Sequence, residues 1–76
     1  MKYKVGDKVR VRDDLEFGRK YDNITLYDSM GAYLGKIGII KAISAYDNYF
    51  LDNDYYWAEE MLEPVFTDKE IAKENK

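Results

Sequence analysis

Seventy-six residues make one domain at most, and a chain this short buries roughly 60% of the surface its unfolded form exposes, so the core must be compact. Apolar residues at 46% and aromatics at 16% exceed what a disordered chain carries, despite 36% charge. The absence of cysteine rules out a disulfide framework, and the absence of any apolar run of ten residues argues against a signal peptide or membrane span, so an intracellular, cytoplasmic setting is expected.

The net charge of −3 is unevenly spread. Residues 1–20 carry seven Lys/Arg against four Asp/Glu, whereas residues 42–66 carry six Asp/Glu and no basic residue. Such segregation steers association. It has a plainer explanation if the two halves pair with each other across a sheet.

Taken in chain order, Gly6-Asp7 reads as an entry turn with Val5 as an anchor, and Lys8-Val9-Arg10-Val11-Arg12 alternates with the period of a half-buried strand. Val9 and Val11 take its core face. From Asp13 the apolar residues Leu15, Phe17, Tyr21, Ile24, Leu26 and Tyr27 keep no steady period, which predicts a long loop pinned by some of them. Asp28 or Ser29 can cap one helical turn through Met30, Tyr33 and Leu34, stopped at Gly35. Lys36 to Ile43 has the β-branched density of a strand, but its phase is ambiguous. A bend at Gly38 that lets the strand feed the core from both faces accounts for it.

Asp47-Asn48 is a turn pair, Tyr49-Phe50-Leu51 a short strand, Asp52-Asn53-Asp54 a second turn and Tyr55-Tyr56-Trp57 the returning strand of a hairpin. Ala58-Glu59-Glu60-Met61 fits one helical turn, and Leu62-Glu63-Pro64-Val65-Phe66 a closing edge strand, where proline is tolerated. Residues 67–76 hold only Ile71 and Ala72 as apolar residues, and a frayed helical or disordered tail is expected there. The order is that of a small five-stranded all-β barrel over residues 1–66, with a core that includes Val9, Val11, Ile37, Ile40, Leu51, Trp57 and Leu62.

The segments Lys4-Val5-Gly6-Asp7-Lys8-Val9-Arg10-Val11-Arg12, Gly35-Lys36-Ile37-Gly38-Ile39-Ile40, Tyr55-Tyr56-Trp57 and Glu60-Met61-Leu62-Glu63-Pro64-Val65 resemble SH3-like barrels of the mind-bomb type. They are closer still to short proteins carried by phages and prophages of Gram-positive bacteria. Val5-Gly6-Asp7-Lys8-Val9 with Gly35-Lys36-Ile37-Gly38 is also similar to the turn-and-strand signature of KOW-type barrels, several of which bind RNA. The resemblance spans residues 2–66 and implies a fold more firmly than a role, because SH3-like barrels host many unrelated functions.

Without histidine or cysteine, the commonest general base, the thiol nucleophile and the usual zinc ligands are all missing, so catalysis is not expected. A calcium loop from Asp52 fails because Trp57 stands where its glycine is required, and Tyr56 where an oxygen ligand is needed. No cofactor, metal or small-molecule substrate is expected. Surface recognition remains. Consecutive aromatics on a strand point to opposite sides, so with Tyr55, Trp57, Tyr49 and Leu51 inward, Tyr56 and Phe50 face out.

The expected partner-binding set is Tyr46, Asp47, Phe50, Asp52, Asp54, Tyr56, Glu59 and Glu60, engaging a host or phage protein. In a sharper form, the acidic run imitates nucleic acid and occupies a host defence nuclease. The alternative is nucleic-acid binding through Lys8, Arg10, Arg12, Arg19 and Lys20, against which stands a pI of about 4.8.

Overall fold

The computed structural model describes residues 2–65; the tail expected over residues 67–76, and Phe66, lie outside them. Among the described residues seven strands form: β1 (Lys8–Val11), β2 (Lys20–Tyr21), β3 (Ile24–Thr25), β4 (Ile37–Ile43), β5 (Tyr49–Leu51), β6 (Tyr56–Trp57) and β7 (Leu62–Pro64). Two 3-10 helices, Asp28–Tyr33 and Glu59–Met61, stand before β4 and β7. The domain is all-β. Five strands join one antiparallel sheet in the order β6-β5-β4-β1-β7, and β2-β3 form a separate ribbon inside the long loop.

The strand β4 organises the sheet because its two lengths serve different neighbours. Its first length pairs with β1, matching Lys8 to Ile39 and Arg10 to Ile37, while its second pairs with β5 from Ile40 to Ile43. A bulge between Ile40 and Ala42 interrupts the second length, and bulges bend and twist the strand that carries them. The sheet therefore turns upon itself, and Val9, Val11, Ile40, Tyr49, Leu51 and Trp57 meet in one core at no more than 1% exposure.

The same bulge resolves the ambiguous phase of residues 36–43. Gly38 and Ile40 face inward, Lys41 and Ala42 are both exposed, and Ile43 returns to the core side. The strand keeps one core face instead of two. Ile37, expected in the core, is 51% exposed on the outer face because it shares the parity of Ile39. Val5 is likewise exposed; Tyr3 is the buried anchor of the N-terminal segment, its ring edge-on to Tyr49 at 5.5 Å. The bend belongs to the bulge, and Gly38 has a different task. A Cβ there would lie 3.0 Å from Leu51 Cδ1 and 3.1 Å from Asp52 Oδ1, so glycine lets β4 approach β5 closely.

The long loop is more ordered than its irregular pattern predicts. Leu15, Tyr21, Leu26 and Met30 all enter the core, and a tight turn at Asp22, with φ 55°, joins β2 to β3. Tyr27 occupies the cap of the first 3-10 helix; Asp28, expected as a cap, is its first residue, and Ser29 lies within it. Gly35 follows the helix at φ 77°, a left-handed position suited to glycine. Its N–H donates to Val11 O, returning the chain to β1.

Candidate functional site

The hairpin β5-β6 presents its outer face through simple alternation. Tyr49 and Leu51 are buried, so Phe50 between them points away from the core, opposite Tyr56 on β6 and Ala42 on β4. Phe50 and Tyr56 pack as a tilted pair with ring centroids 4.8 Å apart, and Tyr56 remains 43% exposed. Aromatic cross-strand pairs stabilise hairpins, yet this one leaves much of its area in water. The turn over residues 44–48 places Tyr46 at one end of this face, 76% exposed. Ser44 Oγ holds that turn by accepting from the N–H groups of Tyr46 and Asn48, while Asp47 adopts φ 64°. At the other end Asp54 sits at φ 68° in the β5-β6 turn, beside an Asn53 whose Oδ1 accepts from Tyr55 N and Trp57 Nε1.

The other three candidates divide. Asp52 continues the β4-β5 ladder: its N–H donates to Ile39 O at 3.1 Å and its Oδ1 accepts from Ile39 N at 3.2 Å. Its carboxylate is structural. Glu59 accepts from the Tyr49 hydroxyl at 2.7 Å and from the Lys2 backbone N–H at 3.0 Å, while the same hydroxyl accepts from Tyr3 N. It latches the N-terminal segment to the second 3-10 helix. Glu60 turns toward the basic set and lines a cleft of about 280 Å³ with Arg12, Asp14, Leu15, Arg19, Lys20 and Tyr21.

Of the basic residues, Arg12, Arg19 and Lys20 meet in that cleft, whereas Lys8 and Arg10 lie on the outer face of β1. Two of the five are ion-paired. Arg12 donates to Asp14 through both Nε and Nη2, at 3.0 and 2.7 Å, and through Nη1 to Glu60 O. Arg19 stands 3.7 Å from Glu16 and lies over the Tyr21 ring. Arg10 donates to Gly35 O. Both ion pairs found among the described residues are local to the first twenty, so the two charged halves are not neutralised by salt bridges between them.

Sequence reasoning missed the Glu59 latch, since nothing local links residues 2, 49 and 59. It missed the cleft as well, because Leu15 and Tyr21 show no period. Among the described residues no group of three or more potential metal ligands assembles, and no helix is long and apolar enough to cross a membrane.

Hydrogen bonds from the Lys2 N–H and then the Tyr49 hydroxyl hold the Glu59 carboxyl below its ordinary 4.5. A depressed carboxyl contributes stability above its ordinary value and loses it as pH falls through the folded value. Glu59→Gln is therefore expected to lower the urea midpoint at neutral pH and to converge on the unmodified protein in acid well below the ordinary carboxylate range. Urea titrations at both pH values check this, and an equal gap at each would refute it. Burial pushes the Tyr3 and Tyr49 hydroxyls up from 10.0. Their contribution has the opposite sign and is lost only as pH rises above that value.

Comparison with known proteins finds no matching family profile, curated protein or solved structure.

Proposed function

We propose that this chain is a non-enzymatic protein-binding module of the SH3-like kind, an accessory protein of a phage or prophage that docks through the outer face of β4-β5-β6. The observation that carries this reading is the tilted Phe50–Tyr56 pair, turned away from the core with Tyr56 exposed, on a face that ends at the exposed Tyr46. Aromatic side chains of this kind supply large contact area and are enriched at interface cores. Asp47 and Asp54 rim the face and favour a partner with cationic groups there.

The nucleic-acid mimic form of this reading needs carboxylates aligned on one surface. Asp52 serves the ladder, Glu59 the latch and Glu60 the cleft, so support rests on the aromatic pair more than on the acids. Nucleic-acid binding through Lys8, Arg10, Arg12, Arg19 and Lys20 draws less support, because Arg12 is paired with Asp14 and Arg19 with Glu16.

Replacing Tyr46 and Tyr56 by Ala together with Asp54 by Asn is expected to abolish capture of a partner from host lysate, with the circular dichroism spectrum unchanged. Lys8→Gln with Lys20→Gln is expected to leave capture intact. Binding of labelled DNA or RNA that weakens steeply with salt and depends on the two lysines would replace this reading with the nucleic-acid one.

A further inference from the structure

The two lengths of β4 carry outer faces of unlike chemistry. On β7-β1-β4, Glu63, Arg10 and Ile37 form one cross-strand row, and Lys8 and Ile39 begin the next. Val9 and Val11 point inward, so both cations point out, beside an Ile37 that is half exposed and an Ile39 that is partly so. This face is aliphatic and basic. Past the bulge, Ala42, Phe50 and Tyr56 make an aromatic face bordered by Asp47 and Asp54, with Lys41 at the bulge itself and no further basic residue through Val65. Both faces turn away from the shared core, so neither can cover the other within one molecule.

We propose that a second copy of this chain covers the aromatic face with its own Lys8-Arg10-Ile37-Ile39 face, so that copies associate head to tail. The proposal rests on reading the hairpin face as an interface and names its occupant. Ile37 and Ile39 supply apolar surface to the aromatic pair, while Lys8 and Arg10 meet Asp47 and Asp54 at the rim, where screening makes the contact sensitive to salt. The two surfaces differ, so the contact is heterologous. The pair together keeps one unused face of each kind, and growth continues past two unless the rotation closes a ring.

Sedimentation of the full chain at high micromolar concentration and low salt is expected to give masses above 9.0 kDa that return to the monomer as salt rises. Two variants separate the faces: Lys8→Glu with Ile37→Glu removes the basic face, and Tyr46→Lys with Asp54→Asn removes the acidic one. Each is expected to be monomeric alone, and an equimolar mixture to form a one-to-one dimer that grows no further, since only one complementary pair of faces survives. Native-like amide spectra of both variants exclude misfolding. A native chain that stays monomeric overturns the proposal, as do variants that fail to restore association when mixed, which would mark a symmetric contact. Lysate capture reads the hairpin interface separately: a monomeric chain whose capture still depends on Tyr56 overturns self-association alone.

Discussion

Trp57→Ala is expected to destabilise the domain by about 3 to 5 kcal/mol, the range for removing a fully buried large aromatic, and so to unfold much of the population at room temperature. Trp57 is completely buried, pairs across the hairpin with Tyr49 and meets Tyr55 edge-on at 6.3 Å. Its Nε1 also donates to Asn53 Oδ1, an oxygen that simultaneously accepts from Tyr55 N, so the indole ties the core to the β5-β6 turn. Trp57→Phe divides the two contributions. It keeps most of the apolar volume while losing the hydrogen bond, worth about 0.5 to 1.5 kcal/mol. Chemical denaturation followed by circular dichroism reads both variants, and an unchanged midpoint for the alanine variant would contradict the burial of Trp57.

Leu26→Ala is the second large effect, expected at about 2 to 5 kcal/mol even though the residue follows β3 inside the long loop. A loop side chain ordinarily tolerates truncation, but Leu26 is fully buried and its backbone closes the ribbon in both directions. Its N–H donates to Arg19 O and its carbonyl accepts from Gly18 N at 2.7 Å. Loss of the side chain leaves a cavity beneath the β2-β3 ribbon. Hydrogen exchange is expected to show the amides of residues 18–26 losing protection along with the rest of the sheet. Protection lost in the loop alone, with an unchanged global midpoint, would show that the ribbon opens independently of the core.

What the chain reveals before folding is whatever depends on near neighbours. Strict alternation in Lys8-Val9-Arg10-Val11-Arg12 suffices to place Val9 and Val11 inside, since a strand side chain can only point to one face or the other. The same parity orders Tyr49-Phe50-Leu51 and Tyr55-Tyr56-Trp57, so the outward direction of Phe50 and Tyr56, and with it the aromatic half of the candidate interface, is legible from residue types alone. Turn residues with tolerance for positive φ, Asp47 and Asp54 among them, mark both ends of the hairpin.

Other features depend on residues distant in sequence. One bulge residue in β4 shifts the phase of everything after it, and no local pattern announces a bulge; Gly38 and Ile40 face inward before it and Ile43 after it, while Ile37 stays on the outer face. The candidate acids look equivalent in sequence but separate once folded, because Asp52 finds an unpaired N–H on Ile39, Glu59 finds Tyr49 and Lys2, and Glu60 faces the loop cleft. Burial by Tyr21 and Leu26 is invisible to periodicity, since a loop has no repeating geometry to impose one. Sequence alone determined the all-β class, the hairpin and its outward aromatics, because strand parity is local. Tertiary structure decided the bend, the division of the charges and the two unlike faces, because each depends on which distant backbone groups come within hydrogen-bonding reach.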